Sequence, residues 1–114
     1  MAYNEGLAER IRAAVAGRQG LTEKRMFGGI AFMLNGNMFC GVVGDDLMVR
    51  VGPEYHERAL AQPYARPMDF TGRAMRGMVY VGPGGSSTDK ALRSWVDQGI
   101  RFAASLPTKK SQPK

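Results

Sequence analysis

Arg25-Met26-Phe27-Gly28-Gly29-Ile30-Ala31-Phe32-Met33-Leu34, then Asn35-Gly36, then Asn37-Met38-Phe39-Cys40-Gly41-Val42-Val43 is the stretch on which the fold turns. An Asn-Gly pair takes the positive φ angles of a tight two-residue hairpin turn. Positions 25–34 and 37–43 therefore read as two strands, antiparallel because so short a turn cannot join parallel neighbours. Gly28 and Gly29 fall inside the first strand, where glycine permits a bulge or a close backbone approach.

Both strands are apolar on both faces. Ile30, Phe32 and Leu34 lie on one side of the first, with Phe27, Ala31 and Met33 on the other. Met38, Cys40 and Val42 in the second strand oppose Phe39 and Val43. A sheet covered by helices on one side normally alternates apolar and polar residues, so with this pattern either a helix crosses over or a second chain covers the bare face. A large bare apolar face marks an interaction surface. Phe27, Met33, Phe39 and Val43 are the candidate surface, either for a protein partner or for a second copy in a symmetric homodimer.

Outward from the hairpin, Leu7, Ile11, Ala14 and Val15 recur at helical spacing before Gly17 and Gly20. After the turn at Gly44-Asp45-Asp46, Leu47, Val49 and Val51 share the face of a third strand. Gly52-Pro53 opens a short helix, which Pro63 ends. A fourth strand centres on Met68-Asp69-Phe70 and a fifth runs from Arg76 to Val81. Ser86 with Asp89 reads as the start of a last helix, lined by Leu92, Trp95, Val96, Gly99 and Ala103 and stopped by Pro107. The expected class is α+β: two layers, a five-stranded and largely antiparallel sheet, order α-β-β-β-α-β-β-α. Residues 1–106 form the expected domain and 107–114 a flexible basic tail.

Composition narrows the function. The chain has 114 residues, 44% apolar and 23% charged, the proportions of an ordinary soluble globule. No apolar run reaches the roughly 20 residues of a membrane helix, no secretory signal is visible, and the single Cys40 fits a reducing compartment. The expected location is the cytoplasm. Lys109, Lys110 and Lys114 supply half of the net charge of +6. With Arg66, Arg73 and Arg76 near Tyr64 and Tyr80, Lys109 and Lys110 are candidate nucleic-acid contacts of the weak, nonspecific kind.

Chemistry is sparse. Gly82-Pro83-Gly84-Gly85 precedes a helix but lacks the lysine and the glycine spacing of a phosphate loop. His56 has no second histidine or cysteine pair beside it and reads as a partly exposed helical residue, whereas Cys40 reads as a buried structural thiol. Asp45-Asp46 suit a turn, and no nucleophile elbow is present. No catalytic residue, cofactor or metal is expected.

Arg25-Met26-Phe27-Gly28-Gly29, Phe32, Gly36, Phe39 and Asp46-Leu47-Met48-Val49-Arg50-Val51 resemble the N-terminal domain of the TfoX/Sxy competence regulators. Pro67-Met68, Gly72-Arg73, Met78-Val79-Tyr80-Val81 and the helix around Leu92 and Trp95 extend the likeness to about Ala104. The resemblance implies a two-layer α/β domain of a bacterial cytoplasmic protein that controls DNA-uptake genes. It also implies work alongside a transcription activator of the cyclic-AMP receptor type rather than catalysis. Family members carry a second, helical C-terminal domain where this chain has its basic tail, which implies a stand-alone N-terminal domain. The expected function is a noncatalytic regulatory protein-interaction domain. A nucleic-acid-contacting domain is the alternative, and a small-ligand binder or enzyme a distant third.

Overall fold

A computed structural model describes residues 3–26, 28–70 and 73–107, except for the side chains of Met26 and of positions 68–70 and 73–76. The class is α+β, with three α-helices on an antiparallel sheet of six strands. Helix α1 spans Glu5–Ala14, and strands β1 to β4 span Leu21–Met26, Gly29–Leu34, Asn37–Val43 and Asp46–Arg50. A 3-10 turn at Pro53–Tyr55 leads into the short helix α2, His56–Leu60. Strands β5 (Ala65–Phe70) and β6 (Arg73–Val81) follow, then helix α3, Asp89–Ala104. Across the sheet the order is β1-β2-β3-β4-β6-β5.

The Asn35-Gly36 hairpin forms as expected, with φ of 52° and 84° at its two central residues and Leu34 opposite Asn37. Five expected strands become six. The stretch starting at Arg25 is not one strand but the end of β1, a turn, and the start of β2. Gly28 takes φ of 75° there, a left-handed value that reverses the chain. Met26 then lies opposite Gly29 and Leu21 opposite Leu34.

A second correction concerns the faces of β3. Strict alternation would set Phe39 against Cys40 and Val42. Instead the register slips between Phe32 and Met33: Phe32 pairs with Cys40 but Met33 with Met38, leaving Phe39 as the extra residue. The bulge turns Phe39 inward as well. Phe39, Cys40 and Val42 are all fully buried in the same core, and Phe39 is therefore not part of an outward surface.

That core lies between the sheet and the helices. Leu7, Ala8 and Ile11 of α1, Ala59 of α2 and Leu92, Trp95, Val96, Ile100 and Ala103 of α3 meet Ile30, Phe32, Leu34, Leu47, Val49, Val79 and Val81 there. Trp95 is 4% exposed, as its helix face implies. Gly99 lets α3 approach β3 closely, because a Cβ at this position would meet the carbonyl of Phe39. Caps agree with local chemistry. The Asn4 side chain accepts the Leu7 N–H, and Thr88 rather than Ser86 caps α3 by accepting the Ala91 N–H at 3.1 Å. Ser86 is buried in a preceding 3-10 turn, Pro83–Ser86.

His56 is another departure. It is buried, not partly exposed, and its Nδ1 accepts the Gly77 N–H at 2.9 Å. Gly77 has φ of 90°, and its carbonyl takes the N–H groups of Val51 and Gly52. The only histidine thus ties α2 to β6. Cys40 is fully buried, and burial pushes its thiol pKa well above the ordinary value, which suits a structural role.

Candidate docking face

All three helices pack into one core, so one face of the sheet carries helices and the other is open. Strand pairing fixes what lies on the open side, since residues directly opposite in a ladder share a face. One row crosses the whole sheet: Lys24 pairs with Ala31, Ala31 with Gly41, Gly41 with Met48, Met48 with Tyr80, and Tyr80 with Arg66. Beside it, Thr22 pairs with Met33 and Met33 with Met38, while Arg50 pairs with Met78.

These side chains form a second apolar cluster, separate from the helix-side core. Met48 and Met78 are its buried centre, at 0% and 6% exposure. Half-buried Met38, Val43 and Tyr80 surround them. Every member comes from a strand. The small pair Ala31 and Gly41 makes room for this packing: a Cβ on Gly41 would meet the Met48 terminal methyl 2.6 Å away. Long, unbranched methionines fill such shallow space and adapt to a partner's shape.

Cations frame the cluster. Arg66 lies over the Tyr80 ring, 4.9 Å from its centroid, and donates to both Asp46 carboxylate oxygens at 2.6 and 3.5 Å. That hydrogen bond raises the already high guanidinium pKa. Arg50 stacks on Phe102 of α3 at 5.1 Å, at the end of the sheet. Lys24 is exposed on the edge strand β1.

Of the four side chains expected to form the interaction surface, Met33 and Val43 are on the open face and half-buried. Phe39 is on the helix side, and Phe27 lies outside the described residues. Met38, Met48, Met78 and Tyr80 were not assigned to this surface, although the density of methionines in strands was the available signal. Among the expected nucleic-acid contacts, Arg66 is engaged with Asp46 and Tyr80. The side chains of Arg73 and Arg76, and all of Lys109 and Lys110, lie outside the description. Among the described residues no group of three His, Cys, Asp or Glu is placed to hold a metal ion, and no helix is long and apolar enough to cross a membrane.

The family model for the TfoX N-terminal domain matches residues 13–103. The chain belongs to that family. The match runs from the end of α1 through nearly all of α3 and takes in every strand of the sheet. As a TfoX N-terminal domain the chain is a regulator-like domain of competence-related type. No curated protein and no solved structure gives a significant match.

Proposed function

We propose that this TfoX N-terminal domain is a noncatalytic, cytoplasmic regulatory module that docks a protein partner on the open face of its sheet. The observation that carries the proposal is the pair of separate apolar clusters, one on each side of the sheet, with helices over only one. Two further facts support a noncatalytic role. The single histidine is occupied in holding Gly77, and the single cysteine is fully buried.

The partner's chemistry follows from the face. A methionine centre calls for apolar side chains opposite it, and the rim of Lys24 and Arg50 calls for acidic groups around them. The family's regulatory setting supplies the class of partner, a transcription activator of the cyclic-AMP receptor type. A second copy of this chain is the other occupant suggested by the apolar strands. The exposed rim is cationic, which suits an acidic partner better than a second copy carrying the same rim. The domain alone is therefore expected to sediment as a 12.4 kDa monomer. A dimer at micromolar concentration that Val43→Asp dissociates would assign the face to self-association.

The binding test is titration calorimetry of the chain with the purified activator of the same cell, loaded with cyclic AMP. Met33→Asp and Val43→Asp, both at half-buried positions, should weaken binding at least about tenfold, the effect of an uncompensated charge in an apolar interface. Unchanged affinity in both folded variants would refute the docking face.

A further inference from the structure

On the opposite side of the molecule, α3 presents Lys90, Arg93, Asp97 and Arg101 at spacings of three and four residues, one stripe along the helix. At 1.5 Å per residue this stripe runs about 16 Å. Arg58 of α2 and Arg18, from the connection between α1 and β1, face it across an open trough of about 1030 Å³. All five cations are exposed, and Asp97 is the only carboxylate lining the trough. The ion pairs among the described residues engage Arg10, Arg12 and Arg66 and none of these five. Five cations against one carboxylate repel one another on balance, and a bound polyanion would relieve that repulsion.

Tyr55 gives the trough a second property. The guanidinium carbons of Arg58 and Arg101 each lie 5.6 Å from the centre of its ring. A guanidinium held against an aromatic ring keeps its N–H edge available for a phosphate. Tyr55, Gln98 and Arg101 also form a wall shared with an adjoining recess of about 400 Å³, lined on its other sides by Val51, Pro53 and Phe102 together with Ser105 and one carboxylate, Glu54. That volume suits a small planar group. A phosphate-attracting trough therefore opens directly beside a recess with two aromatic walls and a mixed polar and apolar lining.

We infer that this trough and recess bind single-stranded nucleic acid, with the backbone along Arg58, Lys90, Arg93 and Arg101 and an unstacked base in the recess that Tyr55 and Phe102 help to line. Basic grooves flanked by aromatic rings hold single strands in this way. At about 3.4 Å per nucleotide of a stacked strand, the stripe on α3 spans about five phosphates. A duplex keeps its bases stacked inside and has nothing to place in the recess. An acidic polypeptide satisfies the trough alone. The trough's cations are not part of the docking face, whereas Phe102 also carries Arg50 of that face's rim, so the Arg58/Arg93 variants are the test that leaves the docking face untouched.

Fluorescence anisotropy of the full chain with a labelled oligothymidylate of about 20 nucleotides tests the inference. Three to five phosphate contacts predict a salt slope of about −2 to −3.5 for log affinity against log salt. Arg58→Glu with Arg93→Glu should weaken binding at least about tenfold and flatten that slope. Phe102→Leu should weaken binding with the slope unchanged, because it removes a stacking surface and no charge. Truncation after Pro107 and Arg66→Glu should each leave affinity within about twofold. Circular dichroism confirms that each variant is folded. The inference is overturned by no binding at low salt, by folded Arg58/Arg93 variants that bind normally, or by loss of binding on truncation alone. Equal affinity for duplex DNA or for polyglutamate would also overturn it.

Discussion

Replacing Phe39 by alanine should be among the most damaging single changes in the molecule, whereas the same change at its neighbour Met38 should be mild. Phe39 is fully buried, lies with its ring centre 6.5 Å from that of Phe32, and meets Gly99 of α3 through its backbone and Cβ. A phenylalanine buries about 150–250 Å². At about 25 cal/mol per Å² that is worth about 4–6 kcal/mol, close to the roughly 3–5 kcal/mol typical of Phe→Ala in cores. Met38 is half-buried on the open face, so its truncation should lose less than about 2 kcal/mol, below the usual range for buried methionine. A domain of this size holds about 5–15 kcal/mol in total. With a urea slope near 2 kcal/mol per molar, Phe39→Ala should lower the midpoint by about 2 M. Equilibrium urea titrations followed by circular dichroism measure both variants. If Phe39→Ala loses under about 1 kcal/mol while Met38→Ala loses more, the bulge is misplaced and the two faces of β3 are exchanged.

Gly99→Ala should destabilise the domain although alanine is the better helix former by about 1 kcal/mol, because the added Cβ meets the Phe39 carbonyl; a raised melting temperature would refute the close approach of α3 to β3. Glu23 accepts two hydrogen bonds from Arg12, at 2.7 and 2.9 Å, and these hold its carboxyl below the ordinary range. With the folded pKa depressed, this stabilisation is complete above the unfolded value near 4.3 and is lost as pH falls through the folded one. Glu23→Gln should accordingly lower the urea midpoint at pH 7 and match the unmodified chain in strong acid, and a difference that persists there would contradict the assignment.

The parts of the fold set by local chemistry were legible in the sequence. Asn35-Gly36 determines its turn almost alone, and the spacing of Leu92, Trp95, Val96 and Gly99 determines which side of α3 is buried. Strand β1 was hidden because it is an edge strand whose Thr22, Glu23, Lys24 and Arg25 are exposed, so it shows no apolar alternation. The bulge at Phe39 was hidden for a different reason. It is a property of register between two strands, and a shift of one residue exchanges the faces. His56 was misjudged because its partner, Gly77, is 21 residues away. Strands apolar on both sides signal apolar clusters on both faces of the sheet, yet only pairing shows that Met48, Met78 and Tyr80 gather on the one without helices. The basic trough combines Arg18, Arg58 and three residues of α3, and no single window of sequence contains it.

The docking face is tested most directly by the methyl resonances of the methionines as the chain is titrated with the cyclic-AMP-loaded activator. Met33 and Met38 report from the open face, and the Trp95 indole reports from the helix-side core. Binding should shift or broaden the Met33 and Met38 methyl signals in proportion to occupancy and leave the Trp95 signal in place. An activator complex that forms without moving either methionine would contradict the account, and the open face would then not be where this domain meets its partner.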